Sequence, residues 1–205
     1  MAGEVSHVVL AARVLTRLGE AVRTPAYWAG TLFPNIRHLG IVSRERTHDP
    51  QVSLATLIGE SDFICGMRVH AWVDMTRSRF LMEANIKELL PWHPLVPHAL
   101  TLVEDATLYG HFDDWNLIHR VLNKVYEEEL AAVHEPQHVR RWHTILQDYI
   151  RQPPTYESWL KMSGDLGLSE SSAEEINYVV RLLQADPRTG TVLDRMVHHI
   201  EYLLQ

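Results

Sequence analysis

The chain has 205 residues, a formal charge of −7, 46% hydrophobic and 22% charged residues, and a single cysteine, Cys65. That length and balance suit a folded domain with a sizeable core, and one cysteine excludes an intramolecular disulfide. The acidic total argues against a broad nucleic-acid surface, which needs a basic face to displace counterions.

The opening segment, MAGEVSHVVLAARVLTRLGE, carries no basic residue before Arg13 and lacks the basic start of a secretory signal. No apolar run is long enough to span a bilayer, so a cytoplasmic protein without a transmembrane segment is expected. Val8, Ala11, Ala12, Leu15 and Leu18 repeat at helical spacing and predict a first helix. Pro25 suits the first turn of a second helix that runs to Phe33, where Pro34 disturbs it. A short third helix is expected over 52–59.

The longest pattern covers Ser61 to Leu90, with Phe63, Met67, His70, Asp74, Arg77 and Leu81 on one stripe. Pro91, Pro94 and Pro97 interrupt it. Further helices are predicted over about 98–109, 114–132, 137–151, 156–163, 172–185 and 190–204. Asp113 or Asp114 is expected to cap the second of these, Thr155 the fourth, and Ser172 with Glu175 to form a capping box. Pro153 and Pro154 mark the best internal boundary, between a helical domain over 1–152 and a helical extension over 153–205 that packs on it. With no alternating pattern of useful length, the fold class is all-α, a multi-helix globular bundle.

Thirteen histidines are many for such a chain. His70 and Asp74 stand four apart, which places imidazole and carboxylate one above the other on a helix face. Both could ligate one metal ion, the aspartate could orient the histidine, or the pair could be a buried histidine satisfied by its neighbour. Gly66, one turn earlier, would let another backbone come close. Asp194 and His198 share that spacing but sit where the helix dipole explains them. His134 and His138 flank Pro136 as surface or cap residues. Arg44 and Arg46 offer guanidinium forks that suit phosphate, in a loop that ends at His48.

Taken together, GTLFPNI, RERTH and GMRVHAWVDM, with His7 at the head of the first helix, resemble the zinc-dependent phospholipase C-like family, related in fold to P1-type nucleases. Order and spacing agree over roughly residues 7 to 80. The resemblance implies an all-α fold, zinc or another divalent metal, and hydrolysis of phosphate esters such as a small phosphoester or lipid headgroup. It implies His7, His48, His70 and Asp74 as metal ligands, with a further oxygen from position 35. Asn35 stands there in place of the family's aspartate, so that oxygen carries no charge. The family's later His-x-x-x-Glu pair finds only His98 and Leu102, which leaves a reduced site of one or two ions. Arg44 and Arg46 would bind the substrate phosphate, and His70 and Asp74 would carry catalysis, with Asp74 or a nearby carboxylate as general base.

A metal-dependent phosphoester hydrolase is therefore the first expectation. The second is a catalytically inactive helical binding or assembly module, whose C-terminal helices could pair with a second copy. An HD-type phosphohydrolase built on His48-Asp49 is disfavoured by Pro50, because the residue before a proline is pushed away from helical angles.

Overall fold

The computed structural model describes residues 2–19, 24–57, 61–90 and 93–205. The positions 58–60 and 91, on which the end of the third predicted segment and the first proline break fall, lie outside the described residues. The described residues form an all-α multi-helix fold without a strand.

The first helix, α1 (Glu4–Leu18), is central. Every residue from Glu4 to Ala11 is buried, so its N-terminal half is enclosed on all sides and not on one face. It packs against α2 (Pro25–Leu32), α3 (Asp62–Glu83) and α5 (Val96–Leu108). Gly3 caps α1, and a side chain there would collide with the Asp105 carboxylate on α5. The helix start is thereby drawn against α5, where the Ser6 amide and hydroxyl donate to Asp105 Oδ1 at 2.8 and 2.6 Å.

The closest packing joins α2 and α3. Two glycines permit it: a Cβ at Gly66 would lie 2.7 Å from the Thr31 amide nitrogen, and one at Gly30 would lie 2.8 Å from the Phe63 carbonyl carbon. Backbone thus meets backbone. Pro34 ends α2, and the chain continues as a 3-10 helix over Phe33–Leu39. The Trp142 indole, fully buried, donates to the Leu32 carbonyl at 3.1 Å and satisfies this break.

The short α4 (Ile86–Leu89) follows α3. The predicted helix over 114–132 is two helices, α6 (Trp115–Leu122) and α7 (Glu127–Val133), the first capped by Asp114. Buried Glu129 on α7 explains the interruption: it accepts from the Tyr126 amide at 2.9 Å and from His143 Nε2 at 2.8 Å. His143 belongs to α8 (Pro136–Tyr149), so one carboxylate both starts α7 and ties it to its neighbour. Thr155 caps α9 (Tyr156–Asp165) as expected. The capping box at Ser172 is not formed: α10 (Glu170–Ala185) starts earlier, with Ser169 accepting from the Ser172 amide. Asp186 caps α11 (Pro187–Leu203), which carries Gly190 inside its first turns. α9 packs on α8, α10 on α5, and α11 on α3. Among the described residues no helix is long and apolar enough to cross a membrane.

Candidate metal centre

Four side chains from three separate segments converge beside the α1–α3 contact. His7 comes from the buried half of α1, and His70 and Asp74 from the inward stripe of α3. His48 arrives on a loop. A 3-10 turn over Arg44–Arg46 bends the chain so that the His48 amide donates to the Arg44 carbonyl at 2.9 Å. His7 and His70 are fully buried, and Asp74 and His48 are 3% and 7% exposed.

The rings are held. His7 and His70 stack with centroids 3.5 Å apart and planes 11° from parallel, and His48 meets His70 edge-on at 4.9 Å. His70 Nδ1 lies 2.8 Å from the Thr31 carbonyl oxygen, a partner that can only accept, so Nδ1 carries the proton and Nε2 a lone pair. Thr47 Oγ1 donates to the Arg44 carbonyl at 3.1 Å, which leaves it to accept from His48 Nδ1 at 2.9 Å. His48 therefore also presents a bare Nε2. This is the arrangement in which a second partner fixes the tautomer of a ligating histidine. Neither Thr31 nor Thr47 carries a sequence signal beyond its place next to the motifs. The close approach that Gly66 allows is what brings the Thr31 carbonyl to His70.

Five buried atoms here have no protein hydrogen-bond partner: both nitrogens of His7, Nε2 of His48, Nε2 of His70 and Oδ2 of Asp74. Each would be costly if left unsatisfied. The approaches that do exist are His7 Nε2 to Asp74 Oδ1 at 3.4 Å and His48 Nε2 to Asp74 Oδ2 at 3.5 Å. These are long for hydrogen bonds. They match the spacing of about 3.3 Å that two N or O donors adopt on one tetrahedral ion with bonds near 2.0 Å. One donor atom from each of His7, His70 and Asp74 lies within 4.8 Å of the others, so this buried group could hold a metal ion; His48 is not part of that group, and its Nε2 approaches it at Asp74 Oδ2.

Burial, followed by the neighbouring His7, holds the His70 imidazolium well below its ordinary range. Burial likewise lowers His48, although Asp74 opposes it. Both rings stay neutral, as ligation requires. Burial alone would raise the Asp74 carboxyl, but the His48 and His7 imidazoles more than offset it and hold the group far below the usual carboxylate range. The Ala2 amide adds a hydrogen bond to Asp74 Oδ1 at 2.7 Å.

The cluster opens on a cleft of about 600 Å3 lined by Arg44, His48, Asp49, Asp74, Met75 and Arg79, among others. Arg44 is 48% exposed and stands 3.7 Å from Asp74 Oδ2. Arg79, which sequence reasoning did not single out, joins it at the mouth. Arg46 instead donates to the Ala132 carbonyl at 3.1 Å and lines an adjoining groove that shares His48 and Asp49 with the cleft but not Arg79. Asn35 turns its amide nitrogen to Glu4 Oε1 at 2.9 Å. His48-Asp49 lies outside any helix. In α11 the His198 ring meets the Asp194 backbone carbonyl at 2.7 Å.

No family model, curated protein or solved structure matches the chain.

Proposed function

We propose that the chain is a metal-dependent phosphoester hydrolase, with the ion held by His7, His48, His70 and Asp74. The observation that carries this reading is the convergence of five unsatisfied donor-capable atoms in one buried place, with two of the histidines fixed in the ligating tautomer. A set of three imidazoles and one carboxylate suits zinc. A bound divalent cation supplies Lewis acidity, lowering the pKa of water and polarising a phosphoryl oxygen.

The chain's own groups divide the remaining work. Arg44 and Arg79 flank the cleft and can neutralise a phosphate that enters it. Asp74 faces the His7 and His48 ring nitrogens with its two carboxylate oxygens, so its part is to ligate. Glu45 and Asp49 line the same cleft and are the remaining carboxylates available to accept a proton. Met75, Met82 and Pro50 give the cleft an apolar wall that a phosphoester's alcohol portion can cover. An inactive helical module is the second reading, favoured by the exposure of Tyr178 and Tyr202 on the C-terminal helices, where a second copy could dock.

The test is elemental analysis of the purified protein, followed by hydrolysis of bis(4-nitrophenyl) phosphate before and after chelation. About one zinc per chain and chelator-sensitive hydrolysis are expected, with both lost in Asp74→Asn. A folded protein that takes up no divalent metal would refute the proposal. Metal uptake without hydrolysis would leave the inactive module.

A further inference from the structure

A second cavity, of about 350 Å3, is lined in part by Ala2, Gly3 and Glu4 and shares no lining residue with the cleft of the metal centre. Its polar end is made by Glu4 and Asn35, and Trp159, Met162 and Leu166 of the α9 region with Ile176 of α10 contribute apolar wall. Glu4 and Asn35 are 4% and 2% exposed. They meet through one hydrogen bond, Asn35 Nδ2 to Glu4 Oε1 at 2.9 Å. An acid and an amide that meet face to face would close a ring of two bonds. Here the second bond is not made, and Glu4 Oε2 and Asn35 Oδ1 both lack a partner.

Such atoms call for a ligand, because leaving buried polar groups unsatisfied is costly. The charge of the site narrows its chemistry. Among the described residues no lysine or arginine lines the cavity, although His38 and His98 do and Arg37 acts on Glu4 from nearby, while Asp105 lines it and Asp74 also acts on Glu4. An anionic head would be repelled. Burial, opposed by the Asn35 bond and reinforced by Asp105 and Asp74, raises the Glu4 carboxyl to about 8, so near neutral pH it is an acid with a proton to donate. Asp105 is satisfied by Ser6 and by the Tyr149 hydroxyl at 2.9 Å. The pair therefore offers one donor and one acceptor, above a mainly apolar wall.

We propose that this cavity binds a small neutral amphiphile whose head both accepts and donates a hydrogen bond, a hydroxyl or a primary amide, on an apolar body of about six to ten carbons. Asn35 Oδ1 accepts from the head, Glu4 Oε2 donates to it, and Trp159, Met162 and Ile176 cover the body. The site uses none of the proposed metal ligands.

The test is calorimetric titration of the full chain near neutral pH with hexanamide and 1-hexanol, beside hexanoate and hexylammonium as charged controls. Saturable one-to-one binding of a neutral probe is expected, with hexanoate at least about tenfold weaker and hexylammonium no tighter than the neutral probes. Asn35→Leu removes the acceptor and should weaken the amide about tenfold. Ile176→Trp fills the cavity from a helix remote from the metal ligands. It should abolish binding while leaving zinc content unchanged. Absence of saturable binding by both neutral probes overturns the proposal. So does hexanoate that binds as tightly as the neutral probes, hexylammonium that binds more tightly than they do, or unchanged binding in a folded Ile176→Trp protein. Zinc content measured on the same samples keeps a failure here separate from a failure of the metal reading.

Discussion

Gly66→Ala tests the link between the fold and the metal centre with a single methyl group. The added Cβ would lie 2.7 Å from the Thr31 amide nitrogen, where ordinary contact begins near 3.4 Å, and closer still to the Tyr27 carbonyl. Relieving the Thr31 contact alone requires α2 and α3 to separate by about 0.7 Å, and the Tyr27 contact asks for more. The Thr31 carbonyl would then stand beyond about 3.5 Å from His70 Nδ1, the limit of a useful hydrogen bond. Two losses follow. Overpacking at this backbone contact should cost about 1–3 kcal/mol of stability. Loss of the group that fixes the His70 tautomer should weaken metal binding about 10- to 100-fold. Urea denaturation in the presence of chelator gives the first quantity, and competition with a chromogenic zinc chelator gives the second. Gly190→Ala is the control: nothing lies within 4 Å of its Cβ inside α11, so it should stabilise by about 0.5–1 kcal/mol and leave zinc affinity alone. A Gly66→Ala protein as stable and as zinc-avid as the parent would refute both the packing argument and the tautomer argument.

Further outcomes can be checked. His48→Ala should lower zinc affinity by at least about 100-fold in the same competition assay yet leave the helical circular dichroism intact, because the ligand comes from a loop. Glu4 gives a pH signature. Its folded pKa, about 8, lies above the ordinary glutamate value of 4.5, so across that window the folded state keeps a proton that the unfolded state has lost. Stability should therefore fall as pH rises from about 4.5 to about 8, by up to about 1.4 kcal/mol per pH unit from this group, and level off above. Denaturation of metal-free Glu4→Gln over that range should lack this component, and parallel curves for the two proteins would count against the burial argument. Finally, Arg77 donates to Glu104 at 2.6 Å with both side chains almost wholly buried. Arg77→Met leaves Glu104 as an uncompensated buried charge and should cost about 3–5 kcal/mol in chemical denaturation, whereas loss below about 1 kcal/mol would show that the pair relaxes.

Much of the architecture was legible because helical spacing and caps are local. The proline at the start of α2, Ser61 before α3, Asp114 before α6 and Thr155 before α9 each declare themselves within a few residues. The errors fall where one of several candidate partners, near or distant, decides. The break between α6 and α7 depends on Glu129 meeting His143 across two helices, and the early start of α10 depends on which of several serines captures the cap. The burial of Glu4 was not legible at all. A first-turn acid is ordinarily solvated, but here α5, the 3-10 helix over Phe33–Leu39 and the C-terminal helices enclose it.

Spacing within one helix is enough to put His70 above Asp74, and a glycine one turn earlier is enough to expect a close neighbour. Those follow from helix geometry and need no tertiary information. Which backbone comes close, that its carbonyl fixes the His70 tautomer, that His7 stacks on His70, and that Arg79 and not Arg46 shares the cleft with Arg44 depend on how three segments far apart in sequence pack. Position 35 shows the difference most plainly. As sequence, Asn35 is an aspartate's uncharged substitute beside a histidine-rich motif. In the folded chain its amide is bound to Glu4 in the lining of a different cavity, because the 3-10 helix that contains Pro34 turns it toward the start of α1.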